Sequence, residues 1–244
     1  PRAMNLSART RTESAAPEVK KDDTPGLAMY LKLDGAHGTT VPDRAGGRVG
    51  KVHVDTWGGP TWVEGKVGKA LALSGMKQYV EMPSGDATDM KAGDFTVSFW
   101  LKLSDPKDTS MGVLHKCKDG EHKTPGYGFM IRETGGQLKF TICDGESIVQ
   151  ASGPRLRDMQ WHHVVGRRGG GAVSLFLDGE LAVRTEESIG ELSNSEPLVF
   201  GKSGFPNNVG GPQAMHDLFG AVDDVRVYRR ALTDKEIADL AKAR

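Results

Sequence analysis

Residues 94–103, DFTVSFWLKL, alternate without a break: Phe95, Val97, Phe99, Leu101 and Leu103 share one face, and Thr96, Ser98, Trp100 and Lys102 share the other. A period of two sends successive side chains to opposite sides of an extended chain, so the stretch reads as a strand with one apolar side to bury. Related patterns recur to either side. Upstream, LAMYLKLDG (27–35) alternates into a turn, and KALALSG (69–75) and QYVEMP (78–83) flank Gly75 as a predicted hairpin. Downstream, YGFMIRE and QLKFTICDG flank Gly135-Gly136, and AVSLFLDGELAVR folds back at Asp178-Gly179, a strong hairpin signal. In the closing strand, alternation groups Phe219, Ala221, Asp223, Val225 and Val227 on one face, with Asp224 beside Val222, Arg226 and Tyr228 on the other. Only after it does a helical signature appear, where Thr233 and Glu236 have capping-box spacing ahead of Ile237, Leu240 and Ala241.

About ten to thirteen such segments, without internal repeats or alternating β and α units, leave few architectures. The economical one is all-β: a two-sheet antiparallel β-sandwich, or jelly roll, with a short C-terminal helix. The outer, polar face of one sheet is then free to bind a ligand. Residues 1–24 are polar with no apolar centre and read as a flexible linker or cloning remnant, leaving 25–244 as the domain.

The 244 residues balance 32 lysines and arginines against 32 aspartates and glutamates, which argues against nucleic acid or an anionic membrane as partner. No apolar run reaches the roughly 20 residues that span a bilayer, so membrane insertion is not expected. Cys117 and Cys143 lie in or beside strand segments that could be neighbours, and both a disulfide and two buried thiols suit them.

Five segments in order resemble the LamG-like jelly-roll modules of the concanavalin A-like lectin/glucanase superfamily. They are LKLDGAHGTTVPDRAGGRVG, GKVGKALALSGMKQYVEMP, DFTVSFWLKL, the pair WHHVV and VSLFLDGELA, and FGAVDDVRVYRRALTDKEI. The resemblance spans about residues 27–242 and departs in one place, with glycine after Asp34 where an acid is common. It implies pairing of the first and last strands and, in many members, a structural calcium ion. Asp34, Asp43 and Asp223 or Asp224 are the residues such an ion would use, together with carbonyls of the glycine-rich loop. Paired acids within a strand need neutralising. One of the two is expected at the cation, the other in solvent or beside Arg226 or Arg44; the plainer alternative is salt bridges and loop-capping hydrogen bonds throughout.

The acid cluster of glycoside hydrolysis is not recognisable here. Glu81, Asp86 and Asp89 span a turn, and His115, Tyr127, Arg132, His162 and His163 carry no lyase-like spacing. Binding is the better expectation, because aromatic platforms and planar polar side chains suit sugars. Aromatics make up 7% of the chain. The candidate ligand residues are Trp57 and Trp62 in DTWGGPTWVEG, Trp100 on the polar face of its strand, and Phe205, Asn207 and Asn208 in GFPNNVGGPQ. The expected partner is a carbohydrate or another extracellular protein, and the expected setting is a larger secreted, periplasmic or cell-surface protein. A protein-adhesion module and a polysaccharide-degrading enzyme with an unrecognised site are the alternatives.

Overall fold

The computed structural model describes residues 22–34, 39–54, 58–105, 110–118, 124–132, 136–187, 189–202 and 215–242. Numbered along the chain, the first strands are β1 (Leu27–Leu31), β2 (Thr40–Pro42), β3 (Val49–His53), β4 (Thr61–Glu64), β5 (Lys69–Ser74) and β6 (Tyr79–Met82). The middle of the chain gives β7 (Phe95–Leu103), β8 (Ser110–Lys116), β9 (Gly126–Arg132), β10 (Gln137–Cys143) and β11 (Ile148–Arg155). The last part gives β12 (His162–Gly169), β13 (Ala172–Leu177), β14 (Glu180–Thr185), β15 (Leu198–Phe200), β16 (Met215–His216), β17 (Phe219–Tyr228) and helix α1 (Asp234–Leu240).

These strands form two sheets. The first runs β14-β13-β12-β7-β17-β5-β4, with β1 also on β17; the second runs β11-β10-β9-β8-β15-β6-β3-β2, with β16 also on β8. Neighbours are antiparallel except β16 and β8. One apolar cluster fills the space between the sheets, with Phe99, Leu101, Val164 and Leu175 from the first and Phe129, Phe140, Leu198 and Val80 from the second. The Phe129 and Phe140 rings stack at 4.6 Å, and Phe99 meets Phe129 edge-on at 5.0 Å. Gly166 of β12 lies against that group. A Cβ there would come within 2.5 Å of Phe129 and 2.8 Å of Phe140, so the aromatic layer fits because this position has no side chain.

The hairpin expected around Gly75 is instead a corner. β5 belongs to the first sheet and β6 to the second. Gly75 and Lys77 adopt positive φ, and Asp217 accepts the Lys77 amide at 2.8 Å, which steers the chain from one layer to the other. The Asp178-Gly179 hairpin does form, joining β13 and β14 with both turn residues at positive φ. Cys117 and Cys143 are buried thiols with no disulfide between them. Strand β9 lies between β8 and β10, with Gly126 opposite Cys143 and Tyr127 opposite Lys116, so a strand's width keeps the two cysteines apart.

Thr233 caps α1 and Glu236 closes the box, as the spacing predicts. Ile237 is fully buried and packs with Leu232 on Val165, Phe176 and Tyr228. Those three lie on the outer face of the first sheet, so the helix covers one end of it.

Candidate binding face

The paired acids sit where β17 changes partner. Residues 219–222 pair with β5, while residues 225–228 pair with β1. Asp224 has φ 55°, and the β17–β7 register shifts between Asp223 and Arg226. This bulge breaks the simple alternation. Val222, Val225 and Val227 point into the core, and Asp223, Arg226 and Tyr228 point outward.

Both carboxylates then stitch the seam. Asp224 accepts the Tyr30 hydroxyl at 2.6 Å and pairs with Arg226 at 2.9 Å, binding β1 to β17. Asp223 accepts the Val67 amide at 2.8 Å in the turn before β5. Asp34, just past β1, accepts the Lys69 amide of the same turn at 2.9 Å and pairs with Lys32. Asp43 is engaged elsewhere: one of its oxygens accepts the Tyr30, Ala45 and Gly46 amides at 2.9–3.0 Å. The cation opposite Asp224 is therefore Arg226, one of the two arginines expected. Asp34 and Asp223 do meet across one turn. Among the described residues no three histidine, cysteine, aspartate or glutamate side chains are grouped so as to hold a metal ion.

Asp223 is the electrostatic outlier. It is fully buried, and its Oδ1 has no hydrogen-bond partner. Burial pushes its carboxyl up to about 7; the Val67 and Lys66 amides oppose this, and the Asp224 and Asp34 charges add to it.

Beside Asp223 in the ladder stand Trp100 and then His163. Trp100 is 3% exposed, tilts against His163 at 5.1 Å and has the Lys66 ammonium 4.9 Å from its ring centre. Its ring is thus taken up by the chain's own side chains. His163 bonds Ser98 at 2.9 Å, and burial lowers its pKa to about 4. Trp62 is half-buried and packs on the core cluster. Trp57, Phe205, Asn207 and Asn208 lie outside the described residues. His162 is clamped between Asp178 at 2.8 Å and Asp158 at 3.0 Å, and Tyr127 points inward to donate to Thr88 O. The histidines and Tyr127 therefore stand in different places.

The outer face of the second sheet is built differently. Its outward residues form cross-strand rows, one of which runs Gln150, Thr141, Gly128, His115, Val199, Glu81, Lys51. At one end the Lys139 ammonium donates to Gln150 Oε1 at 2.9 Å, and Gln150 Nε2 donates to Thr141 at 3.0 Å. At the other, His53 and Tyr79 stack at 4.1 Å, with Lys202 4.7 Å from the Tyr79 ring centre. Planar groups with fixed orientation are what a saccharide's hydroxyls and ring faces meet. None of Gln150, Thr141, Lys139, His53 or Tyr79 was singled out in the sequence as a ligand residue. Each looks ordinary in its own strand, and only the register groups Lys139, Gln150 and Thr141 at one end of the sheet and His53 and Tyr79 at the other.

Comparison with known proteins agrees with this architecture. No curated protein sequence matches the chain. Among solved structures, domain 4 of AbnA, a GH43 extracellular arabinanase from Geobacillus stearothermophilus in complex with arabinotriose, superposes with a TM-score of 0.67 at 18% identity, covering 88% of this chain and 98% of that one. The binding domain of Paraclostridial Mosquitocidal Protein 1 gives 0.67 at 17% identity, covering 88% of this chain and 52% of its own. The receptor binding domain of botulinum neurotoxin D gives 0.61 at 16%, with 89% and 52% covered. The chain thus spans about half the length of the toxin domains and nearly all of the arabinanase domain, and at these identities the likeness is one of fold. A family model covers residues 74–238, more than half of the chain, and by that match the protein belongs to the concanavalin A-like lectin/glucanases superfamily.

Proposed function

We propose that the chain is a non-catalytic carbohydrate-binding module that uses the outer face of its nine-stranded sheet, within a larger secreted or cell-surface protein. The observation that carries this reading is the contrast between the two outer faces. One is closed over by α1, the Tyr30 side chain and the turn at Val67; the other carries the partly exposed Lys139 ammonium and Gln150 amide, oriented by each other and by the buried Thr141 hydroxyl. The arabinotriose complex of the AbnA domain supports it by analogy of fold. No helix among the described residues is long and apolar enough to cross a membrane. Glu81 is the one acid in the described strands of this sheet, whereas glycoside hydrolysis uses two across a cleft. A glycan array followed by calorimetry tests the reading. Saturable heat with a glycan, and no new reducing ends or unsaturated products after incubation, is expected; no saturable heat with any glycan sinks it in favour of a protein-adhesion or spacer module.

A structural calcium ion at the seam is a subordinate proposal. It is supported by the partnerless, buried Oδ1 of Asp223 and by the nearby charge of Asp34. Those two carboxylates would supply the charge and backbone carbonyls the remaining oxygens. Calcium is then expected to raise the melting temperature and a chelator to lower it, with no response in Asp223→Asn. A wild-type melting temperature indifferent to both removes the proposal.

A further inference from the structure

The strands β9, β10 and β11 read GYGFMIR, QLKFTIC and IVQASGPR, and contain no aspartate or glutamate. Their cations are Arg132, Lys139 and Arg155. Ladder pairing puts Arg132 and Arg155 on either side of Gln137, and Lys139 follows two residues on in the middle strand. Arg132, Gln137 and Lys139 alternate with the core residues Ile131, Leu138 and Phe140, and Arg155, past a register shift in β11, stands opposite Gln137, so all four face outward. With strands about 4.8 Å apart, the two guanidinium-bearing positions are separated by roughly 10 Å, with the ammonium-bearing one roughly 7 Å along the sheet.

Four arginines elsewhere pair with acids, Arg167 with Asp234, Arg184 with Glu186, Arg226 with Asp224 and Arg230 with Glu236, and Arg168 donates to the Lys91 and Ile189 carbonyls. Here the Lys139 ammonium has an amide oxygen as its acceptor, and no ion pair among the described residues involves Arg132, Lys139 or Arg155. Burial lowers the Lys139 pKa and the Arg132 charge lowers it further, consistent with a locally positive field. In a chain with equal numbers of positive and negative residues, three neighbouring cations on strands that carry no acid mark a place where an external anion would be stabilised. Guanidinium groups suit carboxylate or sulfate because they donate two parallel hydrogen bonds. Gln137 is oriented by its bond to Gly153 O at 3.3 Å, and Gln150 by Lys139 and Thr141, leaving planar amides beside the charged positions.

We propose that the outward face of β9–β11 is a specificity subsite for an acidic sugar, a uronic, sialic or sulfated residue, whose anionic group is taken by Arg132 and Arg155 with Lys139 beside them. This rests on the carbohydrate-binding reading above and adds to it the class of saccharide. Separated basic side chains flanking amides, with no exposed aromatic between them, suit a short saccharide better than stacked nucleobases.

Calorimetry at low and physiological salt would compare an oligogalacturonate, sialyllactose and a heparin-derived tetrasaccharide with neutral oligosaccharides of matched length and a single-stranded oligonucleotide. At least one acidic saccharide is expected to bind about tenfold or more tightly than the neutral ones, with affinity falling as salt rises. The carboxylated and sulfated probes tell which anion is preferred. Arg132→Ala/Arg155→Ala should lose that preference while keeping its melting temperature and its neutral-sugar affinity; Lys139→Gln should lose part of it. Neutral sugars binding as well as acidic ones, or a double variant that keeps the preference, overturns the subsite and leaves the carbohydrate-binding reading standing. The oligonucleotide binding as tightly as the acidic saccharides overturns it too. Absence of binding to every saccharide overturns both.

Discussion

The two outer faces of the sandwich put the same residue types to opposite uses. On the eight-stranded sheet, Asp223, Asp224, Arg226, Tyr30, Trp100 and His163 are at most 13% exposed and are spent on one another, on β1 and on a turn. On the nine-stranded sheet, Arg132, Lys139, Gln137 and Gln150 keep partial exposure, and the three strands that carry them contain no acid to neutralise the cations. The lesson is that polarity on a strand's outer face does not by itself mark a binding surface. What separates the two cases is whether the chain's own elements already cover the polar groups, even where, as at Asp223 Oδ1, one is left without a partner.

That contrast can be broken by substitution. The largest effect is expected at the seam: Asp224→Ala leaves the buried Arg226 guanidinium without its partner and should cost about 3–5 kcal/mol in denaturant unfolding. Asp224→Asn, which keeps an acceptor for Tyr30 and tolerates positive φ, should cost less. A loss under about 1 kcal/mol in the alanine variant would show the seam is not held as described. Asp223 gives a pH signature of the next size. The fold raises its pKa from 3.8 to about 7, so its contribution is full below the unfolded value and is lost as pH rises through about 7. Asp223→Asn should therefore flatten the decline in melting temperature between pH 5 and pH 8 measured without calcium, an effect on the order of a few kcal/mol.

Thr233→Ala should remove about 1 kcal/mol by uncapping α1 and loosening the cover over Val165, Phe176 and Tyr228. His162 titrates in the same direction on a smaller scale. Burial alone lowers its pKa, but the bonds to Asp178 and Asp158 outweigh this and raise it, so its stabilisation is present below about pH 6.5 and fades as pH rises through the higher folded value. His162→Gln should thus lower the melting temperature at pH 6 more than at pH 8.5. The smallest stability change belongs to the open face. Lys139→Ala, which leaves the bond between Gln150 and the buried Thr141 hydroxyl in place, should shift stability by less than about 0.5 kcal/mol yet reduce the heat of saccharide binding. A large stability loss there would mean this face, too, is committed to holding the fold.

Much of the architecture is written in local pattern. The alternation of β7, the Asp178-Gly179 turn and the Thr233–Glu236 cap each follow from spacing that needs no partner strand. The pairing of the first and last strands rested on the family resemblance, and it holds. What local pattern could not convey is decided by cross-strand register. The corner at Gly75 looks like any hairpin turn until β5 and β6 are assigned to different sheets. The bulge at Asp224 reverses which of its neighbours face inward. Trp100 reads as a platform on a polar face because its sequence neighbours are Ser98 and Lys102, but Lys66, 34 positions earlier, covers its ring. The open face is the clearest example. Arg132, Gln137, Arg155, Lys139 and Gln150 come from three strands and become one surface only through pairing.

The seam between β1 and β17 also constrains the order in which the chain can fold. Tyr30 finds its partners 194 and 196 residues later, at Asp224 and Arg226. During synthesis β1 can meet the loop at Asp43 and Arg44 early but has no partner strand until nearly all of the domain has left the ribosome, whereas β8 to β11 and β12 to β14 can zip locally as they emerge. Closing the longest loop comes last and is entropically the slowest step, so the first-made strand waits the longest, and the interval before it docks is when the nascent chain is most open to wrong pairings.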